Sequence, residues 1–253
     1  MRSKGATVQQ LNFDASRNIL ISSLPAEDYA ALEPHLTRVP LDEGDEVGRF
    51  GKPIDGVCFP EAAVVSVSHV YPSGDAVETG VIGICGMVGW PALLGAQESP
   101  HRAVVQVGGG SALRADSDAF LQVAGERPGI ASLCLRFVLA FTIQHACAAA
   151  SYLRDPTERR LARWLLMCHD RLVGDEIALT HHFIGETLGV RRASVTDALH
   201  RLEGEGAIRS HRSLIVVRDR PCLEAMAGPS YGFPEARYRE LIGPFGKGTG
   251  ACG

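Results

Sequence analysis

Only three lysines occur in this chain, Lys4, Lys52 and Lys247, so its basic side chains are almost all arginine. No Cys-x-x-Cys pair is present either: the seven cysteines, at 58, 85, 134, 147, 168, 222 and 252, are scattered and odd in number. That pattern speaks against a disulfide framework or a structural zinc site and points to the reduced thiols of a cytoplasmic protein. No unbroken apolar run reaches the length of a membrane span, and no signal peptide opens the chain, so no membrane partner is expected. Metal-site and nucleotide-loop signatures are missing as well. There is no His-x-His, His-Glu-x-x-His or P-loop. The reading is therefore of a non-enzyme without cofactor or metal.

What is present is 253 residues, enough for two domains, with 45% hydrophobic and 21% charged side chains. The net charge of −4 argues at first sight against nucleic acid. Local charge decides such binding, however. From Arg191 to Arg220 there are arginines at 191, 192, 201, 209, 212, 218 and 220 against acids at 197, 203, 205 and 219. Arginine makes bidentate contacts to guanine or phosphate that lysine cannot. The patch is modest, so affinity is expected to rely on two half-sites held together.

The stretch from His181 to His200, HHFIGETLGVRRASVTDALH, carries the most information. Ile184, Leu188, Val195 and Leu199 recur at helical spacing and give two short helices one buried face each. Gly189 breaks the first helix with a positive φ, and Gly185 is small where the two helices meet. This is a helix-turn-helix pattern. Thr180, Arg191, Arg192, Ser194, Thr196, Asp197 and His200 are left for the major groove. An ordinary αα-hairpin in a helical core is the alternative reading of the same spacing.

A winged form of the motif is expected from its flanks. Arg209-Ser210-His211-Arg212-Ser213 reads as a polar turn before the apolar run Leu214–Val217, placing Arg209, His211 and Arg212 at a hairpin tip beside phosphates. Upstream, Asp155-Pro156-Thr157-Glu158 reads as a helix start, with Asp155 as N-cap and Glu158 completing a capping box.

The first half has a different texture. Short β-prone segments at 38–41, 57–60, 64–71, 77–82, 87–89, 104–107 and 112–114 alternate with glycine turns, which predicts a jelly-roll. Pro25–Leu36 reads as helical. Between the halves, 128–153 predicts one long helix. Ile130, Leu133, Phe137, Phe141, Gln144, Ala148 and Ser151 form one apolar side, and Leu135, Val138, Leu139, Thr142 and Ala146 the other. A helix apolar nearly all round must be covered twice, here by the roll and by a twin helix of a homodimer; a core helix of a monomer is the alternative.

The fold class is thus α+β. The expected units are an arm (1–18), a β-roll sensor domain (19–127), a dimerisation helix (128–154), a winged helix-turn-helix (155–220) and a partly disordered extension (221–253).

This order of parts, with Thr180–Ile208 reading TxxxIGxxLGVxRxSVxxxLxxLExxGxI, resembles the CRP/FNR family of bacterial transcription regulators from about Ile19 to Arg220. The resemblance implies a homodimer on double-stranded DNA at a near-palindromic promoter site, RNA polymerase as a further partner, and a roll that senses a signal. It also implies a guanine contact for Arg192. Ala193 and Asp197 stand where well-studied members have glutamate and arginine, so a different operator is expected. Cyclic-nucleotide binders in the family carry Gly-Glu and Arg-Ser-Ala or Arg-Thr-Ala. Here Trp90 follows Gly89, and His101-Arg102-Ala103 closes the segment. The lost ribose acceptor speaks against cyclic AMP, at about 1–3 kcal/mol for the unpaired hydroxyl. Trp90, His101 and Arg102 remain as a pocket for another anionic effector, and a roll serving only as scaffold is the alternative. No cysteine precedes Cys58 to hold an iron–sulfur cluster, and lone histidines such as His69 and His101 do not make a haem site.

Two other classes stay in view: a metal-dependent cupin-like enzyme, which shares the jelly-roll, and a scaffold that binds no DNA.

Overall fold

The computed structural model describes residues 16–247. The roll begins with two short helices, α1 (Ile19–Ser22) and α2 (Ala26–Leu32), the latter followed by a 3-10 turn at Glu33–His35. Seven strands follow: β1 (Thr37–Leu41), β2 (Glu46–Gly48), β3 (Gly56–Pro60), β4 (Val64–Val70), β5 (Ala76–Ile82), β6 (Arg102–Val107) and β7 (Gly110–Asp116). They form two antiparallel sheets, ordered β1-β7-β3 and β2-β6-β4-β5. Val57, Phe59 and Leu113 of one sheet share a core with Val65, Val67 and Val105 of the other. The roll is therefore a filled sandwich, as the strand spacing predicted.

Three local differences from the sequence reading have simple causes. The segment 87–89 is not a strand: Val88 makes one bridge to Cys58, and Trp90 opens a 3-10 helix. The acidic Glu46–Gly48, with no apolar alternation to mark it, pairs with β6 as an edge strand. After β7, Asp116 caps a helix that the strand-rich texture concealed, α3 (Ser117–Glu126), accepting from the Asp118 and Ala119 N–H groups.

Helix α4 runs from Pro128 to Arg154. Its buried residues include all seven of the predicted inner side, from Ile130 to Ser151. Leu135 and Leu139 on the other side are 44% and 50% exposed. By length and mean hydropathy (1.5) alone α4 is long and apolar enough to cross a membrane, although Arg136, Gln144 and His145 interrupt its apolar run. The cause is its second apolar side, since the first is packed on the roll.

The remaining elements are α5 (Thr157–His169), β8 (Glu176–Ile177), α6 (His181–Leu188), α7 (Arg192–Gly204), β9 (Ile208–His211), β10 (Leu214–Val217), α8 (Arg220–Ala227) and α9 (Phe233–Leu241). Strand β10 lies between β8 and β9. The capping box expected at Asp155 is absent. Asp155 instead accepts from Ser230 Oγ and Arg159, Glu158 accepts from Arg201, and α5 starts one residue later than expected.

Two larger differences concern the ends. Residues 1–15 of the expected arm and 248–253 of the glycine-rich end lie outside the described residues. Asn18, assigned to the arm, is fully buried. Its amide donates to the carbonyls of Pro60 and Gly86 while its oxygen caps α1. The extension is folded through Lys247: α9 packs on α4, Phe245 enters the roll core beside Tyr238, and Tyr238 Oη donates to Cys85 O at 2.6 Å.

The winged domain does not hang from a free hinge. Val64, Val81 and Val107 of the roll belong to the same buried cluster as Leu161, Leu165 and Ile184. In β4 successive side chains alternate faces, so Val65 and Val67 fill the roll while Val64 meets this second core.

Candidate nucleic-acid interface

Thr180 starts α6, its Oγ1 accepting from Phe183 N at 3.2 Å. Gly189 ends the helix at φ 62, which an L side chain adopts only with strain. Gly185 sits under the turn, where a Cβ would lie 3.1 Å from Val190 O. Both glycines hold the places assigned from the sequence. Ile184 and Leu188 of α6 and Val195, Ala198, Leu199 and Leu202 of α7 are buried between the helices and α5.

The opposite side of α7 is open. Arg191, Arg192, Asp197 and His200 are exposed, and Ser194 and Thr196 are half-buried. Thr196 Oγ1 donates back to Arg192 O at 3.2 Å, so that hydroxyl is partly spent within the helix. A groove of about 640 Å³ between α7 and the wing brings together Thr180, Arg192, His200, His211 and Arg212. His181 and His182 line it too. The free N–H groups at the start of α6 add a positive helix end beside these side chains.

The wing is narrower than the polar run implied. Arg209, Ser210 and His211 belong to β9, and the turn is Arg212–Ser213 alone, with Ser213 at φ 61. Arg212 is at the tip, while Arg209 and His211 project from one face of the strand. Glu203 Oε1 accepts from Ser210 N at 3.1 Å and ties α7 to the wing.

Of the seven arginines in this region, two are paired with acids. Arg201 pairs with Glu158 at 2.7 Å. Arg220 is held by Asp170 and Glu224, each at 2.8 Å, and donates to Tyr231 Oη. Among the described residues, Arg191, Arg192, Arg209, Arg212 and Arg218 make no ion pair. Those five carry the positive field.

The expected effector pocket is not formed by Trp90, His101 and Arg102 together. Trp90 and His101 do meet, with ring centres 5.6 Å apart, and Phe141 and His145 of α4 close over them. His145 is fixed by Phe141 O at 2.8 Å and Thr79 Oγ1 at 3.1 Å. Burial pushes the basicity of both His101 and His145 down. Arg102 turns outward and pairs with Glu46 at 3.0 Å. Successive side chains of an extended chain face opposite ways, so His101 and Arg102 cannot share one pocket. Aromatic rings occupy the space where the sequence reading put an anion.

Among the described residues no group of three or more His, Cys, Asp or Glu side chains is arranged to hold a metal.

Residues 159–226 match the family model of the Crp-like helix-turn-helix domain. About three quarters of the chain has the fold of three solved structures. FixK2 of Bradyrhizobium japonicum is 19% identical, with TM-score 0.64 over 76% of this chain and 98% of its own. A CRP-family transcriptional regulator from Thermus thermophilus is 18% identical, with TM-score 0.62 over 75% and 96%. The c-di-GMP-responsive regulator CLP of Xanthomonas campestris is 15% identical, with TM-score 0.61 over 76% and 99%. No curated protein matches the sequence. The carboxyl-terminal domain is thus a Crp-like helix-turn-helix domain, carried on the fold of the CRP/FNR transcription regulators.

Proposed function

We propose that this chain is a sequence-specific DNA-binding transcription regulator that acts as a homodimer on a near-palindromic promoter site. One observation carries the reading: the groove in which Thr180, Arg192, His200, His211 and Arg212 converge while the arginines beside it stay unpaired. Arg192, at the start of α7, reads a base edge, with Arg191, Ser194, Thr196, Asp197 and His200 along the same helix. Arg209, His211 and Arg212 meet phosphates, which set register and affinity without reading sequence.

The exposed Leu135 and Leu139 side of α4 supports the dimer, because a twin helix there would bury what the roll leaves open. Two recognition helices would then enter major grooves one helical turn apart, about 34 Å. The functional units in this reading are the roll (19–127), the pairing helix (128–154) and the winged domain (155–220). A cytoplasmic location and contact with RNA polymerase follow from the same role, and neither an enzymatic step nor a membrane partner belongs to it.

The roll senses a signal other than cyclic AMP or serves as a scaffold. The packing of Trp90, His101, Phe141 and His145 favours the scaffold or a signal that rearranges those rings. Anisotropy titrations of promoter and random duplexes over a range of salt test the proposal. Tight binding to selected sites, weak binding to random DNA and a steep fall with salt are expected. Equal affinity for both duplexes would defeat it.

A further inference from the structure

Arg163 is a buried cation that no acid contacts directly among the described residues. It lies on α5, 6% exposed, and makes neither a hydrogen bond nor an ion pair among the described residues; its Nη2 is enclosed and unpartnered. Nη2 has company. Arg163 lines a small cavity with Arg160, Glu78, Ser151, Tyr152 and Trp164, and Arg160 Nε is also enclosed without a partner. The rest of Arg160 is anchored, since its Nη2 donates to Leu188 O and its guanidinium lies over the Tyr152 ring at 4.3 Å.

Charge balance at this cavity is incomplete. Glu78 is the one acid lining it, and its Oε1 is taken by Trp164 Nε1. Full burial raises the Glu78 carboxyl to about 7, so near neutrality it is charged only in part. Glu235 on α9 acts on Arg163 only through space, its own Oε2 accepting from Gly232 N at 2.9 Å. A water could satisfy the free N–H groups but could not neutralise the Arg163 guanidinium, which is almost wholly out of solvent. About 10 Å³ is open to the centre of a water-sized sphere, enough for one water or for an ion only slightly larger. Sulfate, phosphate and carboxylates are too large.

We propose that this cavity binds a single halide ion, chloride in ordinary solution, held by Arg163 Nη2 and Arg160 Nε where the roll, α4 and the winged domain meet. The site touches the DNA-binding unit directly. Arg160 grips Leu188 O, and Tyr152 Oη donates to Thr187 O at 2.8 Å, both at the end of α6. A bound halide therefore stiffens the seat of the helix-turn-helix against the roll.

The test uses the full chain and no DNA, so its failure would leave the DNA-binding reading intact. Thermal unfolding is followed at constant ionic strength and neutral pH while chloride or bromide replaces glutamate. The melting temperature is expected to rise and saturate with either halide, whereas general salt effects grow without saturating. Arg163→Met is expected to abolish the saturable rise. A crystal of the unaltered protein grown from bromide is expected to show an anomalous peak between the two guanidinium groups, which decides the matter even where the variant fails to fold. Coincident melting in chloride and glutamate, or a bromide crystal without that peak, overturns the proposal and leaves water as the occupant.

Discussion

Trp164 Nε1 donates a 2.7 Å hydrogen bond to Glu78 Oε1, joining the first helix of the winged domain to strand β5 of the roll. Both side chains are buried, and the HTH helix α6 ends against the same junction through Arg160 and Tyr152. The orientation of the DNA-binding surface is thereby tied to the sheet beneath it. Any signal that moves the roll would have to act on this contact or around it.

The first prediction concerns the acid in that bond. Burial moves the Glu78 carboxyl up from 4.5 to about 7. The folded chain then holds more protons than the unfolded one between those values. Its contribution to stability is full below about pH 4.5 and is lost as pH rises through about 7. Inside that window the slope from this group approaches ~1.4 kcal/mol per pH unit. Glu78→Gln keeps an acceptor for Trp164 and is expected to flatten the slope, leaving the variant more stable than the parent above neutrality. His101 and His145, pushed down by burial, act with the opposite sign in both proteins and cancel in the comparison. Urea midpoints across about pH 5–8 check this; parallel curves would contradict the assignment.

A second prediction concerns the tail. Phe245 is buried against Tyr238 in the roll core although it lies 25 residues beyond Arg220. Phe245→Ala is expected to cost about 3–5 kcal/mol, a large share of the stability of such a chain. Tyr238→Phe should cost about 0.5–1.5 kcal/mol through the lost bond to Cys85 O. Denaturant unfolding measures both. A negligible loss for Phe245→Ala would mean that the tail does not hold this place in solution.

Pairing through α4 is tested by charge. Leu139→Glu places a carboxylate on the exposed apolar side without disturbing the face packed on the roll. Sedimentation should report a shift from dimer to folded monomer. Affinity for a two-half-site duplex should fall about 10²-fold, because the second half-site no longer benefits from the first. A variant that stays dimeric would place the interface elsewhere.

At the groove, two arginines should behave differently. Arg192→Ala is expected to relax base choice at one position per half-site, by about 1–3 kcal/mol. Arg212→Ala should weaken binding to every sequence alike and reduce the salt slope by about 1 for each lost phosphate contact. Competition titrations against single-base operator variants separate the two. Equal losses for Arg192→Ala on specific and random DNA would remove its assigned role.

The helix-turn-helix was readable because its evidence is local. Ile184, Leu188, Val195 and Leu199 mark faces by spacing within 16 residues, and Gly185 and Gly189 mark close approach and a left-handed turn. Strand alternation exposed the roll for the same reason. Failures came where local pattern and tertiary use part company. Asp155-Pro156-Thr157-Glu158 has every feature of a capping box, yet Ser230, 75 residues on, takes the Asp155 carboxylate, and Arg201 takes Glu158. Arg209 to Ser213 is uniformly polar, and only pairing with β10 shows that three of those residues are strand.

From the residue order alone came the parts and their succession: a roll, a long helix apolar on two sides, a winged helix-turn-helix and the arginines that serve it. Folding in three dimensions decided which arginines remain free, since Arg201 and Arg220 are claimed by Glu158 and Asp170. It turned Arg102 away from Trp90 and His101, and it seated the winged domain on the roll through Glu78 and Trp164, 86 residues apart. Periodicity encodes which side of an element is apolar; it does not encode which distant side chain will arrive there. Buried charges make that second question decisive, because their cost depends wholly on the partner that meets them.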